Sequence, residues 1–150
     1  MGKMIFVGQA PSCETDERPA FTGRCGRFLA EMLGLPQEEM LRRFLFINLL
    51  PRFPGKAKGG DAFPMDQARV YAEALASFFS RKNSVVLLGR NVAKAFNLGS
   101  LDLLSWHHPV QTHGARTAMV PHPSGINRWY NDEANREKAT WFLRSIEKGR

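Results

Sequence analysis

The loop at residues 120–129 holds several side chains that could do chemistry. It follows a short apolar run and contains an imidazole, a hydroxyl, a glycine, an apolar tip and a guanidinium: His122, Ser124, Gly125, Ile126 and Arg128. Active sites of α/β proteins lie on loops that follow strands. These residue types suit a loop that touches a phosphate, enters a base stack and offers an imidazole to a leaving group. We predict that His122, which stands between two prolines, is the acid–base or electrostatic group.

A second loop with functional potential follows the first apolar run. Gly8, Gln9, Ala10 and Pro11 form a glycine turn closed by a rigid proline. This segment is not a dinucleotide-binding fingerprint, and no Walker lysine follows it. A tight turn of this kind would hold backbone N–H groups near a ligand. We therefore predict that it forms the wall of the site opposite His122.

Asn48 and Phe21 each allow a structural and a functional interpretation. Asn48 lies within the end of an otherwise apolar run, where a buried amide must satisfy its own donors and acceptor or read the amide edge of a ligand. Phe21 lies among small and polar residues. It either anchors its loop on the core or forms a stacking platform for a planar base.

The chain is basic, with 21 Lys and Arg against 14 Asp and Glu and a net charge of +7. A basic surface favours nucleic acid or anionic substrates, although a merely soluble basic protein would show the same balance. The cationic residues cluster in one stretch with phenylalanines between them: Arg42, Arg43, Arg52, Lys56 and Lys58. We predict that this stretch contributes to nucleic-acid binding.

Length and composition predict one domain over residues 1–150. No apolar run approaches the roughly 20 residues of a membrane helix, so we expect a cytoplasmic protein with no membrane partner. The two cysteines, Cys13 and Cys25, are too few for a disulfide scaffold and are expected to be free thiols. No ligand pair has zinc-finger spacing, so we predict no metal and no cofactor.

Alternating strand and helix patterns predict a parallel sheet with helices on both faces. The predicted strands span residues 3–7, 44–50, 84–88 and 117–120, and the predicted helices span 25–33, 37–43, 64–79, 89–96 and 131–147. The second strand is expected to be buried, and residues 52–63 are expected to form a Gly/Pro/Lys loop. Two sets of apolar side chains on helices are expected to face the core: Val70, Ala74, Leu75, Phe78 and Phe79, then Trp141, Phe142 and Ile146.

Taken together, the motifs resemble those of the uracil-DNA glycosylase superfamily. The matching segments are residues 8–11, 21–26, 48–50, 88–89 and 122–124, in the right order and at about the right spacing. The chain is most similar to the compact bacterial type, whose first motif is Gly-Glu-Ala-Pro-Gly. The resemblance implies a three-layer α/β/α fold with a central four-stranded parallel sheet. It also implies an active site at the carboxyl ends of the strands, and base flipping.

The resemblance also implies roles for individual residues. Phe21 would stack on the extruded base, Asn48 would bind the uracil edge and help to reject cytosine, and His122 would stabilise negative charge growing on the uracil O2. Ser124 would contact a phosphate, and Ile126 would fill the space left by the flipped base. Gly8, Ala10 and Pro11 would line the base pocket, whereas Gly125, Arg128, Arg52, Lys56 and Lys58 would lie along the DNA.

The chain departs from this family type at the first motif. Gln9 stands where the family type has Glu, and Ala10 stands where another branch has its water-activating Asp. An amide can position a water but cannot take its proton. Glu14 or Asp16 is therefore the expected source of a carboxylate; otherwise the enzyme uses a dissociative path or is inactive on uracil in DNA. The family type also carries a four-cysteine iron–sulfur cluster, which we do not expect in a chain with two cysteines.

Three functions follow from these observations. The first is a monofunctional DNA glycosylase of base-excision repair, acting as a monomer on uracil or a related damaged or modified pyrimidine. The second is a catalytically weak or inactive relative that binds nucleic acid or a nucleotide, which Gln9 favours. The third is an enzyme of free nucleosides or nucleotides. An apolar wedge at Ile126 and the basic stretch at 42–58 favour DNA over free nucleotides.

Overall fold

A four-stranded parallel sheet forms the centre of the protein, with its strands in the order Leu45–Asn48, Met4–Gly8, Ser84–Leu88 and Arg116–Val120. The computed structural model describes residues 3–13, 17–124 and 126–148. The strands are β1 (Met4–Gly8), β2 (Leu45–Asn48), β3 (Lys56–Ala57), β4 (Gly60–Asp61), β5 (Ser84–Leu88) and β6 (Arg116–Val120). The helices are α1 (Arg24–Leu33), α2 (Gln37–Arg43), α3 (Met65–Ala76), α4 (Arg90–Ala95) and α5 (Glu133–Lys148).

Helices cover both faces of the sheet. Phe6, Val86 and Ala118 point to one face, where they pack with α1, α2 and α5. Neighbouring strand residues point to the other face, where Val7 and Val85 pack with α3 and α4. Strands buried on both faces need apolar residues at nearly every position, which explains the apolar runs at residues 4–7 of β1, 85–88 of β5 and 118–120 of β6. The predicted three-layer α/β/α fold with a four-stranded parallel sheet is confirmed.

The carboxyl ends of the four strands meet at one edge of the sheet. Gly8 pairs with Asn48, and the ladder continues beyond the strands because Leu49 N donates to the carbonyl of Gly8 at 2.8 Å. The ladder between β5 and β6 also continues, because Gly89 N donates to the carbonyl of Val120 at 2.7 Å. These bonds fix the starting directions of the loops that follow β1, β2, β5 and β6.

Three sequence predictions about burial are wrong. Val70 and Phe78 of the predicted core stripe are 68% and 83% exposed, and Ala74 of the same stripe is exposed as well. Helix α3 instead packs on the sheet through the small residues Ala68, Ala72 and Ala76, followed by Phe79, because one alanine every turn makes a flat face against the strands. Trp141 is 74% exposed, whereas Phe142 and Ile146 are buried as predicted. Strand β2 is an edge strand rather than a buried one, with Leu45 41% exposed.

The segment predicted as an irregular loop at 52–63 contains a small antiparallel hairpin. Lys56 pairs with Asp61, and Ala57 pairs with Gly60. The turn between them places Gly59 at φ +90°, which glycine adopts without strain. Within the described residues, no helix has the length and apolar character needed to cross a membrane.

Candidate active site

A cavity of about 700 Å³ lies at the carboxyl edge of the sheet. Loops from β1, β2 and β6 converge on it, together with the first turn of α1 and the β3–β4 hairpin. It brings together most of the residues that the sequence indicated, namely Gln9, Ala10, Pro11, Phe21, Asn48, Lys56, His122, Ser124 and Ile126. Residues far apart in the chain therefore form one site.

Several other predicted site residues do not line this cavity. Gly8 lies beneath the ring of Phe21. Arg52, Lys58 and Arg128 are exposed outside the cavity lining, so the structure does not bring them together with His122. Asp16 and Gly125 lie outside the described residues, as does the alternative carboxylate of Glu14.

The backbone of Phe21 is held in a left-handed conformation, with φ +62°. The amide of Gln37 donates one hydrogen bond to the carbonyl of Phe21 at 2.9 Å and another to that of Gly23 at 3.2 Å. Gly26 is required here because a Cβ at residue 26 would overlap the Phe21 carbonyl oxygen. A non-glycine residue in this region is strained unless its surroundings fix it, and these contacts do so.

The ring of Phe21 packs against the sheet edge. Its centroid lies 5.4 Å from that of Phe46, at an interplanar angle of 38°. A Cβ at residue 8 would overlap this ring, since it would lie 2.7 Å from Phe21 Cζ. The same Cβ would lie 3.1 Å from Oδ1 of Asn48, so glycine at position 8 lets the ring and the amide approach the same point.

The amide of Asn48 is available for a ligand. The side chain is half-buried and lines the cavity. Within the described part of the chain, its amide has no hydrogen-bond partner. An amide offers two donors and an acceptor side by side, which matches the N–H and C=O edge of a pyrimidine.

His122 presents a neutral imidazole to the cavity. Burial lowers the pKa of His122 below 6.5, and the nearby charge of Asp61 opposes this shift without reversing it. A neutral ring keeps one N–H donor and one acceptor nitrogen at neutral pH. Gly89, at φ +107°, leaves room for this side chain, because a Cβ at residue 89 would lie 3.2 Å from His122 Cβ.

The loop after His122 is fixed by internal hydrogen bonds. Asn127 Nδ2 and Ser124 N both donate to the His122 carbonyl, at 2.9 Å each. The buried hydroxyl of Tyr130 donates to the Pro121 carbonyl at 2.6 Å. Burial raises the pKa of Tyr130, so the phenol stays protonated and keeps this donor. Ile126 follows in the same loop and is 89% exposed.

The β3–β4 hairpin pairs the predicted Lys56 with Asp61, a residue that sequence reasoning missed. Lys56 Nζ donates to Oδ1 of Asp61 at 2.8 Å and lies 5.8 Å from the ring centroid of Phe53. Lys56 and Asp61 both line the cavity with His122. A signal was available, because the Gly59–Gly60 pair favours a hairpin turn that places these two residues opposite each other.

A cationic rim at the first turn of α1 was also missed. Arg18, Arg24 and Arg27 line the cavity and are exposed. Gly23, the N-cap of α1, provides no side-chain cap, and the first turn holds no acidic residue. The positive end of the helix dipole therefore adds to the arginine charges. This rim suits an anionic backbone better than a neutral ligand.

The two thiols do not fit an iron–sulfur cluster. Cys13 is exposed and Cys25 is half-buried, and the two thiols do not form a disulfide with each other. Burial raises the pKa of Cys25, whereas metal-bound thiols must be deprotonated. Two cysteines cannot supply four thiolates. Across residues 3–13, 17–124 and 126–148, no three His, Cys, Asp or Glu side chains are grouped as metal ligands.

Comparison with known families agrees with this geometry. The family model for the uracil DNA glycosylase superfamily matches residues 2–145 of the 150-residue chain. A comparison with curated proteins gave no significant match. The family model spans almost the whole chain, including every strand and helix around the cavity. The chain belongs to the uracil-DNA glycosylase superfamily.

Proposed function

We propose that the protein is a monofunctional DNA glycosylase that hydrolyses the N-glycosidic bond of uracil or a related damaged or modified pyrimidine. One observation carries the proposal. Phe21, Asn48 and His122 come from three separate segments and line one cavity of about 700 Å³ at the carboxyl edge of the sheet. An aromatic ring, an amide and a neutral imidazole are the groups needed to stack, read and polarise a single base.

Recognition of the base rests on Phe21 and Asn48. The target nucleotide is rotated out of the DNA, and its base enters the cavity against the Phe21 ring. The Asn48 amide, free of other partners among the described residues, pairs with the N3–H and C4=O edge of uracil. Cytosine presents an acceptor and an amino group there. When the amide is oriented to pair with uracil, cytosine leaves polar groups unpaired and is rejected.

Cleavage of the glycosidic bond leaves negative charge on the departing base. The neutral His122 imidazole donates its N–H to the uracil O2 as this charge develops. A preorganised donor at such a position contributes about 3–4 kcal/mol to transition-state stabilisation. Burial of the ring supports this role, because it keeps the imidazole neutral before the base arrives.

DNA binding is assigned to two sides of the cavity. Ser124 contacts a phosphate, while the exposed Ile126 enters the stack in place of the flipped base. Across the opening, Arg18, Arg24 and Arg27 neutralise phosphates, and Lys56 adds a further charge. The protein acts as a cytoplasmic monomer with one domain over residues 1–150. Its reaction leaves an abasic site in the DNA for base-excision repair.

The test is a base-release assay on labelled single- and double-stranded oligonucleotides. Each carries one uracil, hypoxanthine, xanthine or hydroxymethyluracil, and alkali then cuts any abasic site. We expect cutting at uracil or hydroxymethyluracil, which are the pyrimidines of this set, and no cutting at the purines hypoxanthine and xanthine. His122→Ala and Asn48→Ala should both be strongly impaired. Asn91→Ala is the control, because Asn91 is exposed on α4 away from the cavity.

Two results would assign a different function. Tight DNA binding without release of any base would indicate a catalytically inactive relative that binds nucleic acid. The amide of Gln9, in place of a carboxylate, favours this alternative. Activity confined to mononucleotides would indicate an enzyme of free nucleotides.

A further inference from the structure

Hydrolysis at this site needs a proton acceptor that the first motif does not provide. A water that attacks C1′ of the deoxyribose must lose a proton as its oxygen bonds to carbon. Gln9 lines the cavity, but its amide oxygen is not a base at neutral pH. The neighbouring Ala10 and Pro11 carry no ionisable group.

Asp61 is the only carboxylate among the described residues that line the cavity. The β3–β4 hairpin places it on the same cavity as Gln9 and His122, although it lies far from both in the chain. Its negative charge acts on His122, so the two side chains lie within electrostatic reach. The side chain is 37% exposed, which leaves it accessible to water.

Lys56 orients the carboxylate of Asp61. It donates to Oδ1, and the carboxylate has no other hydrogen-bond donor in the described part of the chain. The ammonium therefore fixes one oxygen and leaves Oδ2 as a proton acceptor. A carboxylate without such a cation would repel the DNA phosphates that approach the same opening.

We propose that Asp61 is the general base of the reaction and replaces the carboxylate that Gln9 cannot supply. This inference rests on the proposed glycosylase function. The water oxygen bonds to C1′ while one of its protons passes to Oδ2 of Asp61. The C1′–N bond breaks, and its electron pair leaves with the base as an anion that His122 stabilises. The products are the protonated Asp61 carboxyl, the abasic sugar and the base, which then takes a proton from solvent.

The test compares Asp61→Asn with wild type in single-turnover base release at saturating enzyme. The asparagine keeps an oxygen for Lys56, so the hairpin pairing is retained. We expect the rate to fall by a factor of about one hundred to ten thousand, the usual contribution of a general base. Affinity for the same oligonucleotide without the damaged base should be unchanged. Asp102→Asn is the matched control, because Asp102 is exposed away from the cavity.

Chemical rescue separates catalysis from a structural role. Asp61→Ala should regain activity when formate is added, because a small carboxylate can occupy the vacated position. Formate should not stimulate wild type or His122→Ala. An Asp61→Asn rate within about threefold of wild type would overturn the inference. So would a large loss in Asp16→Asn combined with none in Asp61→Asn.

The base-release assay distinguishes an error in the role of Asp61 from an error in the glycosylase function. Wild-type protein that releases no base from any oligonucleotide would contradict the glycosylase assignment itself. An active wild type with an equally active Asp61→Asn variant would contradict only the role of Asp61.

Discussion

The ring of Phe21 occupies the space that a side chain at Gly8 would need. A Cβ at residue 8 would lie 2.7 Å from Phe21 Cζ, closer than carbon atoms approach in folded proteins. Gly8 of the first motif and the ring of Phe21 are therefore complementary in shape, although the two residues are well separated in the chain. Glycine at position 8 sets the depth at which the ring lies above the sheet edge.

Gly8→Ala should displace Phe21 and impair base binding. The backbone at Gly8 is ordinary strand, so the cost arises from the overlap with the ring and amounts to about 1–3 kcal/mol of unfolding free energy. Denaturant unfolding measures this cost. In a Phe21→Ala background the same substitution should cost clearly less, because the ring is gone. Equal costs in the two backgrounds would show that the ring does not occupy this space.

Ile126→Ala should reduce excision from duplex DNA more than from single-stranded DNA. The wedge replaces a base that has left the stack, and a single strand has little stacking to restore. Because Ile126 is 89% exposed, thermal stability should not change. Val110→Ala is the matched control, since Val110 is an apolar residue 83% exposed that does not line the cavity. An equal effect on both substrates would argue against a wedge.

His122 should make the protein less stable as pH falls. Burial lowers its pKa in the folded state below 6.5, so the unfolded chain binds a proton more readily. The stability of the neutral folded form is complete above pH 6.5. It declines as pH falls from there towards the lowered pKa of the folded state. The difference in unfolding free energy between wild type and His122→Gln should therefore shrink over this window; a constant difference would contradict the burial of His122.

The arginine rim should determine the salt dependence of DNA binding. Each phosphate contact changes the slope of log K against log salt by about 0.7–0.9. Arg24→Gln and Arg27→Gln should each reduce the slope by about one contact, measured by titration at several salt concentrations. Arg69→Gln on α3, exposed away from the cavity, should leave it unchanged. Equal slopes for all three variants would place the DNA elsewhere.

Local sequence patterns predicted the central strands well because these strands are buried on both faces. A strand such as β5 must be apolar at nearly every position, and this is visible without knowledge of the fold. The faces of the helices were harder to predict. Hydrophobicity favoured Val70 and Phe78 for the core, whereas packing on the sheet uses the alanines of α3.

The same contrast applies to the site. Phe21, Asn48 and His122 follow strands or lie in motifs, so their convergence could be predicted from the order of the elements. The positions of Asp61 and of the arginine rim depend on where the β3–β4 hairpin and the start of α1 lie relative to the cavity. Tertiary packing sets these positions, and the sequence indicates them only through weak turn signals.

The masses of the reaction products decide whether the protein is a glycosylase. An oligonucleotide with one deoxyuridine should yield free uracil and an intact strand with an abasic sugar, from wild type but not from His122→Ala or Asn48→Ala. Recovery of the unchanged oligonucleotide after prolonged incubation with wild type, for uracil and for each of the other bases named above, would rule out the glycosylase function. It would leave a nucleic-acid-binding protein on the same fold.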